Sequence, residues 1–300
     1  MFFIFAMAAL AVDLSSGHLA ELPFGFCALW GTGVYTLAIL TSRLRWSFWV
    51  AWPLAGCVVG VVTLLMAIPL VRVKGAHFAF LTLGFALTMR LVVKNWNSLT
   101  SGVFGISGLP SPTLKLPFLP AISFVSEFAY SYLAMAGLLF TAFIYHRLTT
   151  SPFGRAITAI RENEALAGST GIYPLKYKLV TLVITGFFAG MAGALYAGYM
   201  RLAVPAAYDL WYSILPLVIM LVGGERHIGG ALTGTFFLVY IPEYLRLAAQ
   251  ARMVIFGLVL ILAILFMPEG VWPTLKRQLR RLRALGAMRR MNREDLISGE

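Results

Sequence analysis

Long runs of apolar residues recur along almost the whole chain, and this pattern limits the folds open to it. A helix needs about 20 mostly apolar residues to cross the hydrocarbon core of a bilayer. The apolar segments are 2–16, 24–41, 48–70, 76–93, 127–146, 175–200, 209–223, 228–246 and 252–268. Hydrophobic residues make up 60% of the 300 positions and charged residues only 12%, where a soluble domain carries about 25%. The sequence therefore predicts an all-α, polytopic integral membrane bundle with about 8–10 transmembrane helices.

The basic residues are unevenly distributed. Of the 24 Lys and Arg residues, eight lie between Lys276 and Arg293, directly after the last apolar segment. Lys and Arg favour the cytoplasmic side of membrane proteins. We therefore expect residues 1–275 to form one transmembrane domain and residues 276–300 to form a basic cytoplasmic tail along the membrane lipid. No aromatic-interleaved basic groove accompanies the tail, so a nucleic-acid partner is not expected.

Two long polar interruptions set the predicted orientation. The stretch 95–126 is rich in Gly, Pro and Ser, whereas 147–178 carries most of the mid-chain charge and is predicted to be cytoplasmic. Counting spans from there puts 95–126 outside. The same count puts Arg43 and Arg45 outside, against the charge rule. We keep this orientation because the charges of the other loops agree with it. No Lys or Arg precedes Arg43, so Met1–Leu14 is interpreted as a membrane helix and not as a secretory signal.

The sequence contains few residues in patterns typical of metal binding, phosphate binding or catalysis. The four histidines are widely scattered and the two cysteines lie in apolar segments, so no metal site is expected. Gly102, Gly105 and Gly108 are not followed by the Gly-Lys-Ser/Thr of a phosphate loop. Ser107 has no adjacent His or Asp partner, which argues against nucleophilic catalysis. We therefore predict no catalytic residues and no cofactor, and the chain is not predicted to be an enzyme.

The most informative stretch runs from Ser151 to Gly171. Ser151-Pro-Phe-Gly is typical of a helix start, and Gly171 is placed to end a helix. Apolar residues recur between them at helical spacing: Ala156, Ile157, Ile160, Ala165 and Leu166. The pattern predicts one short amphipathic helix in a cytoplasmic loop. An interfacial linker lying on the membrane would produce the same periodicity.

This stretch resembles the EAA loop of ATP-binding-cassette (ABC) importer permeases, in the form found in branched-chain amino acid permeases of the LivM type. The likeness continues through Tyr177-Lys178-Leu179 and Thr185–Ala197. In that family the helix of the loop docks into the nucleotide-binding subunit and couples ATP hydrolysis to helix movement. The resemblance implies a coupling loop at about 148–174. It assigns the ATPase contact to eight residues there: Gly154, Arg155, Arg161, Glu162, Glu164, Ala165, Ala167 and Gly171.

A second stretch, Thr100–Pro110, is similar to the family's segment Leu-Thr-Gly-Gly, two residues, then Gly-Leu-Ser-Gly-Ile-Pro. Its glycines are spaced by three and allow backbone conformations that are closed to other residues. We expect a tight non-helical turn or re-entrant element at the periplasmic mouth of a solute path. The candidate path residues are Thr100, Gly102, Gly105, Ser107 and Gly108. A packed loop that merely joins two spans is the alternative.

The resemblance covers roughly 13–270 and includes departures. Gly17–Thr36 is similar to the family's N-terminal signature, but Glu21 stands where Gln is usual. Gly223–Gly229 keeps the paired glycines and is unusually charged for the family. The family usually has additional helix upstream, so this chain is expected to begin late relative to it.

The resemblance implies a permease subunit of an ABC importer that moves branched-chain or other neutral amino acids across the inner membrane. It also implies two ATP-binding subunits, a second permease subunit and a periplasmic solute-binding protein as partners. Closely similar permeases move urea or short amides, so that cargo is an alternative. An ion-coupled secondary transporter is another. Its candidate ionisable groups, Arg90 and Glu243, lie near span ends, which leaves little for ion coupling to act on.

Overall fold

The computed structural model describes residues 1–73, 75–114, 122–123, 126–240, 257 and 270–278. The helices in this part are α1 Phe2–Ser16, α2 Phe26–Ala38, α3 Phe48–Leu70, α4 Ala76–Asn95, α5 Asn97–Thr100, α6 Glu127–Thr150, α7 Pro152–Glu162, α8 Glu164–Ser169, α9 Pro174–Met200, α10 Trp211–Gly223 and α11 Ile228–Thr235. Short π-helical segments, Ile39–Arg43 and Phe236–Tyr240, extend α2 and α11, and 3-10 turns cover Gly102–Phe104 and Pro205–Tyr208. A further helix covers 271–278.

Two small antiparallel strand pairs accompany the helices. Strand β1 (Ile106–Ser107) pairs with β4 (Leu202–Ala203), and β2 (Thr113–Leu114) pairs with β3 (Ile122–Ser123). In the first pair Ile106 lies opposite Ala203 and Ser107 opposite Leu202. These pairs join loops at one end of the molecule and do not alter its helical class.

The predicted spans correspond to observed helices. Within the described residues α3, α4, α6 and α9 are each long and apolar enough to cross a membrane, and α10 with the extended α11 forms a pair bent by 114°. The other predicted spans are the short helices α1 and α2. The predicted span 228–246 is described only as far as Tyr240, and 252–268 lies outside the described residues apart from residue 257. The predicted all-α, polytopic membrane bundle is confirmed.

Helix α1 lies at the centre of the bundle, with 13 of its 15 residues buried. It packs against α6, α9, α10 and α11, as expected for a helix that is apolar on all sides. The long helix α9 packs on α1, α2 and α3. A Cβ at Gly193 would lie 2.2 Å from the carbonyl oxygen of Trp30, so α9 and α2 approach at backbone distance. Small residues permit such close helix packing in lipid.

The loops and short elements that connect the long helices lie at two ends of the bundle. The first, which we call the charged end, contains the α1–α2 turn, α7, α8 and the α10–α11 turn. The second, the glycine-rich end, contains residues 97–110, β4 and the Pro205–Tyr208 turn. Arg43 belongs to this second end, where its Nη1 donates to the Ser98 carbonyl oxygen and its Nη2 lies 3.5 Å from Ser101 Oγ. These contacts join the end of α2 to the glycine-rich end, and the side of the membrane on which Arg43 lies stays a prediction.

The proposed tail begins inside the last described helix. Residues 276–278 belong to the helix over 271–278, while 279–300 lie outside the described residues. The basic cytoplasmic tail therefore stays a prediction.

Candidate functional site

The predicted amphipathic helix between Ser151 and Gly171 is two helices, α7 and α8, that meet at Asn163. The backbone of Asn163 is extended, with φ −157° and ψ 103°. Its Oδ1 accepts a hydrogen bond of 3.0 Å from the backbone N–H of Leu166 and so caps the start of α8. Asn competes in this way with continuation of a helix, which apolar periodicity alone does not reveal.

The break divides the predicted apolar stripe. Ile157 and Ile160 of α7 are buried as expected, but Leu166 is 64% exposed and its neighbour Ala165 is exposed as well. In α8 the buried residue is instead Ala167. The second half of the predicted stripe is therefore wrong, because α8 starts a new helical phase after Asn163.

The eight predicted ATPase-contact residues differ in orientation. Gly154 and Ala167 are buried, and a Cβ at Gly154 would lie 2.2 Å from a backbone oxygen of α6. Gly171 has a φ of +86° and follows the end of α8, as predicted. The exposed members are Arg155, Glu162, Ala165 and Gly171. Arg161 and Glu164 turn inward and form ion pairs. Contact of these eight positions with an ATPase stays a prediction.

Lys178, the fifth residue of α9, lies between two carboxylates. Its Nζ is 2.8 Å from Glu21 Oε1 and 3.4 Å from Glu164 Oε2. The side chains of Lys178 and Glu21 are only 5% and 8% exposed, whereas that of Glu164 is 23% exposed. Desolvated charges are tolerated only when they are paired, so this contact holds α8, α9 and the α1–α2 turn together.

Arg161 of α7 connects to the α10–α11 turn and to the end of α1. Its Nη1 and Nη2 each donate to Glu225 Oε2 at 3.1 Å, and Nη1 also donates to the carbonyl oxygen of Gly17. The Nε of Arg226 donates to the same carbonyl at 3.0 Å. Carbonyl groups at a helix C-terminus carry partial negative charge, which makes this position favourable for two guanidinium groups.

Asp13 lies within the last turn of the apolar helix α1 and is buried. Its carboxylate accepts from the backbone N–H of Arg226 at 2.9 and 3.1 Å and from the hydroxyl of Tyr145 in α6. Because that hydroxyl proton is directed at Asp13, the Tyr145 oxygen accepts from His18 Nε2 at 3.0 Å. Burial, followed by the positive charges of Arg226 and Arg161, lowers the pKa of His18 to about 4, so the ring is neutral at pH 7.

Together these contacts define the charged cluster. Its members are Asp13, His18, Glu21, Tyr145, Arg161, Glu164, Lys178, Glu225 and Arg226. In the part of the chain that the structure describes, no group of three His, Cys, Asp or Glu side chains is placed to hold a metal ion. The cluster is instead a junction of opposite charges between the surface helices and the core.

Asp13 was not among the candidate intramembrane ionisable groups, which were Arg90 and Glu243 near span ends. In the structure Asp13 is 3% exposed, while Arg90 pairs with Asp209 at 2.7 Å with both side chains at least 40% exposed. Glu243 lies outside the described residues. The missed signal was a lone carboxylate in an otherwise apolar segment, which is costly in a membrane and therefore points to a specific partner.

At the opposite end, residues 97–110 form the glycine-rich loop. It contains the short helix α5 and a 3-10 turn, so the expected non-helical element is in part helical. Gly102, Gly105 and Gly108 adopt φ values of +56°, +70° and +73°. A Cβ at Gly105 would lie 2.2 Å from the carbonyl oxygen of Ala203, so this position requires glycine for both its conformation and its packing.

The hydroxyl groups of the loop have different surroundings. Thr100 is 3% exposed, and its Oγ1 lies 2.6 Å from the Val93 oxygen, 2.7 Å from the Trp96 oxygen and 3.3 Å from the Gly102 nitrogen. These contacts use the Thr100 hydroxyl inside the loop, which favours the packed-loop interpretation for that residue. Ser107 is exposed at the loop surface. Contact of the loop with solute stays a prediction.

The fold and the charged cluster define a class: a multi-pass helical membrane protein in which a surface pair of helices is joined by charged side chains to the core. The family model described as "Branched-chain amino acid transport system / permease component" matches residues 1–264. The chain belongs to this family of membrane permeases, as the resemblance predicted.

Individual relatives agree with the family. The high-affinity branched-chain amino acid transport system permease protein LivM of Salmonella typhimurium is 29% identical over 298 residues, covering 93% of this chain and 70% of the relative. The protein of the same name from Escherichia coli is 28% identical over 295 residues, covering 92% and 69%. The probable branched-chain amino acid transport permease protein LivH of Methanocaldococcus jannaschii is 30% identical over 244 residues, covering 75% and 74%. No solved structure matches the chain.

Proposed function

We propose that this chain is a permease subunit of an ABC importer that moves branched-chain or other neutral amino acids across the inner membrane. Two separate ATP-binding subunits power the transport, a second permease subunit completes the pathway, and a periplasmic solute-binding protein delivers the solute. Membership of the family and the transport functions of the relatives support this cargo. In this proposal the transmembrane domain spans 1–275, and the segment 148–174 is the coupling loop on the cytoplasmic side.

The observation that carries the coupling role is the two-sided structure of α7 and α8. On the outer side Glu162, Ala165 and Leu166 are exposed and form a mixed apolar and charged surface. On the inner side Arg161 and Glu164 are bonded to the rest of the bundle. An exposed large apolar residue beside charged ones suits a protein contact, and the inner bonds give that contact a route to the helices.

The proposal is tested with the chain assembled with its ATP-binding subunits and second permease in proteoliposomes, with binding protein outside. We expect ATP-dependent uptake of radiolabelled L-leucine. Leu166→Asp should abolish both uptake and co-purification of the ATP-binding subunits, because it places an uncompensated charge in the proposed contact. Phe104→Asp is the matched control for co-purification, since Phe104 is 91% exposed in the loop at the opposite end, and it should retain the ATP-binding subunits. Retention of the ATP-binding subunits by Leu166→Asp would contradict the assigned contact.

Leu166 is a cleaner probe of this contact than Glu164. Replacement of Glu164 by Lys should also abolish uptake, but it would place a second ammonium group beside Lys178, 3.4 Å from the present carboxylate oxygen. Loss of activity could then come from inside the permease. Leu166 makes the test specific for the outer surface because its side chain is exposed and is not a member of the charged cluster.

The cargo is tested by competition in the same assay. Unlabelled valine and isoleucine in excess should suppress leucine uptake, whereas urea or acetamide should not. Suppression by the amides alone would favour the alternative cargo. Uptake by the chain alone, driven by a proton or sodium gradient without ATP, would instead favour a secondary transporter.

A further inference from the structure

We propose that the charged cluster is the mechanical link by which α7 and α8 displace α1 and α2, with Lys178 as its central positioning residue. This inference rests on the proposed function, since it requires an ATP-binding subunit to act on the outer side of α8. It adds an internal route from that surface to the middle of the membrane bundle.

Side chains from several segments converge on the α1–α2 turn. Arg161 from α7 and Arg226 from the α10–α11 turn both donate to the carbonyl oxygen of Gly17. Four residues further on, Lys178 of α9 holds Glu21 at 2.8 Å. Three separate segments therefore bind the first half of the turn, at Gly17 and at Glu21, so a displacement of any of them acts directly on the turn.

The two helices that this turn connects lie in the interior of the bundle. Helix α1 is the central, most completely enclosed element and packs against α6, α9, α10 and α11, while α2 packs against α9 and α3. Protein interiors are close-packed and transmit displacement instead of absorbing it. A shift of residues 17–21 is thus passed to helices that contact nearly every other part of the bundle.

Lys178 is shared between two segments of the cluster. One ammonium group faces two carboxylates, the enclosed Glu21 at 2.8 Å and the more accessible Glu164 at 3.4 Å. A subunit that binds the outer side of α8 and competes for Glu164 leaves Lys178 to Glu21 alone. Such an exchange between two discrete arrangements is what physical coupling between distant sites requires.

The test separates coupling from simple stabilisation. Lys178→Met alone leaves two carboxylates without their cation and risks misfolding. The double variant Lys178→Met/Glu21→Met removes both charges and fills the space with unbranched apolar side chains, an exchange that proteins often tolerate or gain stability from. The control is Arg90→Gln/Asp209→Asn, which removes the exposed ion pair at the other end of the molecule.

Two readouts are taken on the assembled transporter. Hydrogen exchange with and without a non-hydrolysable ATP analogue should change in 163–178 and in 17–21 for the wild type and the control. For the double variant the change should persist in 163–178 and disappear from 17–21. Leucine uptake by the double variant should fall by about tenfold or more, a typical size for coupling between sites, while ATP hydrolysis persists.

The outcomes distinguish this inference from the proposed function. If the double variant shows the same hydrogen-exchange response and the same leucine uptake as the wild type, the Lys178–Glu21 pair only stabilises the fold. That result would overturn the inference and leave the proposed function standing. Failure of the wild type to bind ATP-binding subunits or take up solute would overturn both.

A second variant covers the case in which the double variant does not accumulate. The exchanged pair Lys178→Glu/Glu21→Lys keeps an attractive pair at this position but turns the attraction for Glu164 into repulsion. We expect this variant to fold and to lose the nucleotide-dependent change in 17–21. Normal uptake and a normal exchange response in this variant would overturn the inference.

Discussion

The two ends of the bundle are held together in different ways. At the charged end, side chains from segments far apart in sequence meet in enclosed ion pairs such as Lys178 with Glu21. At the glycine-rich end the contacts are mainly backbone ones, with β1 paired to β4 and three glycines in left-handed conformations. An ion pair exists there too, between Arg90 and Asp209, but both side chains are at least 40% exposed.

This difference predicts which substitutions destabilise each end. The charged end depends on chemical identity, because removing one partner leaves a desolvated charge. The glycine-rich end depends on backbone conformation, because its loop is shaped by residues without a side chain. The following substitutions test this contrast, beginning with the largest expected effect.

Removal of one cation at each end should have very different costs. Lys178→Ala should lower the free energy of unfolding by about 3–5 kcal/mol, because it removes the ammonium group that lies 2.8 Å from the enclosed carboxylate of Glu21. Arg90→Ala should cost about 0–1 kcal/mol, because the exposed pair is screened. Denaturant titration of the purified chain in micelles measures both values. Equal costs would remove the distinction between the two ends.

At the glycine-rich end, backbone strain should account for most of the stability that a substitution costs. Gly105→Ala forces a residue with a Cβ into a φ of +70° and against the Ala203 oxygen, and should cost about 2–4 kcal/mol. Gly108 has a similar φ, +73°, with open space around it, so Gly108→Ala should cost only about 1–2 kcal/mol. The apparent melting temperatures of the two variants give the comparison. A smaller decrease in melting temperature for Gly105→Ala than for Gly108→Ala would contradict this ranking.

Acidification should weaken the charged end through His18. The folded protein keeps this ring neutral down to a pKa of about 4, whereas the unfolded chain takes up the proton near pH 6.5. The unfolded state therefore binds more protons between these values, and stability that is complete above pH 6.5 is lost as pH falls towards 4. From pH 7 to pH 5 this contribution should be roughly 2 kcal/mol. His18→Asn should show a correspondingly smaller pH dependence, and an unchanged one would refute the assignment.

The smallest structural effects should come from the hydroxyl groups of the glycine-rich loop. Thr100→Val removes an enclosed hydroxyl and should cost about 1–2 kcal/mol, while Ser107→Ala, at an exposed position, should change stability by less than about 0.5 kcal/mol. Ser107→Ala should weaken or redirect transport if the hydroxyl meets solute. Leucine uptake kinetics at equal expression measure this. Unchanged kinetics and solute preference in both variants would favour the packed-loop interpretation.

The apolar runs were sufficient to predict most helices, because burial in lipid imposes a length requirement that is visible in sequence. Helix α3 has the predicted bounds 48–70, and α9 begins one residue before the predicted start. The break at Asn163 was not predicted, since a capping side chain overrides an apolar periodicity that continues across it.

The charged cluster could be predicted only in part. Its coupling-loop members, Arg161 and Glu164, were selected from a motif, but as outward contacts. Glu21 and Lys178 were noted separately and not as a pair, because they are 157 residues apart and local periodicity contains no information on such contacts. Asp13 was overlooked because a single carboxylate barely changes the mean hydropathy of its segment.

The enclosure of α1 has a consequence for biogenesis. This helix is synthesised before α6, α9 and α10, yet these later helices supply most of its surroundings. Contacts between segments distant in sequence form late and slowly. Until then Asp13 has neither the Tyr145 hydroxyl nor the Arg226 backbone as a partner, so the nascent helix carries an uncompensated carboxylate into the bilayer. We therefore expect stable insertion of α1 to require α6 and the α10–α11 turn, which supply the partners of Asp13.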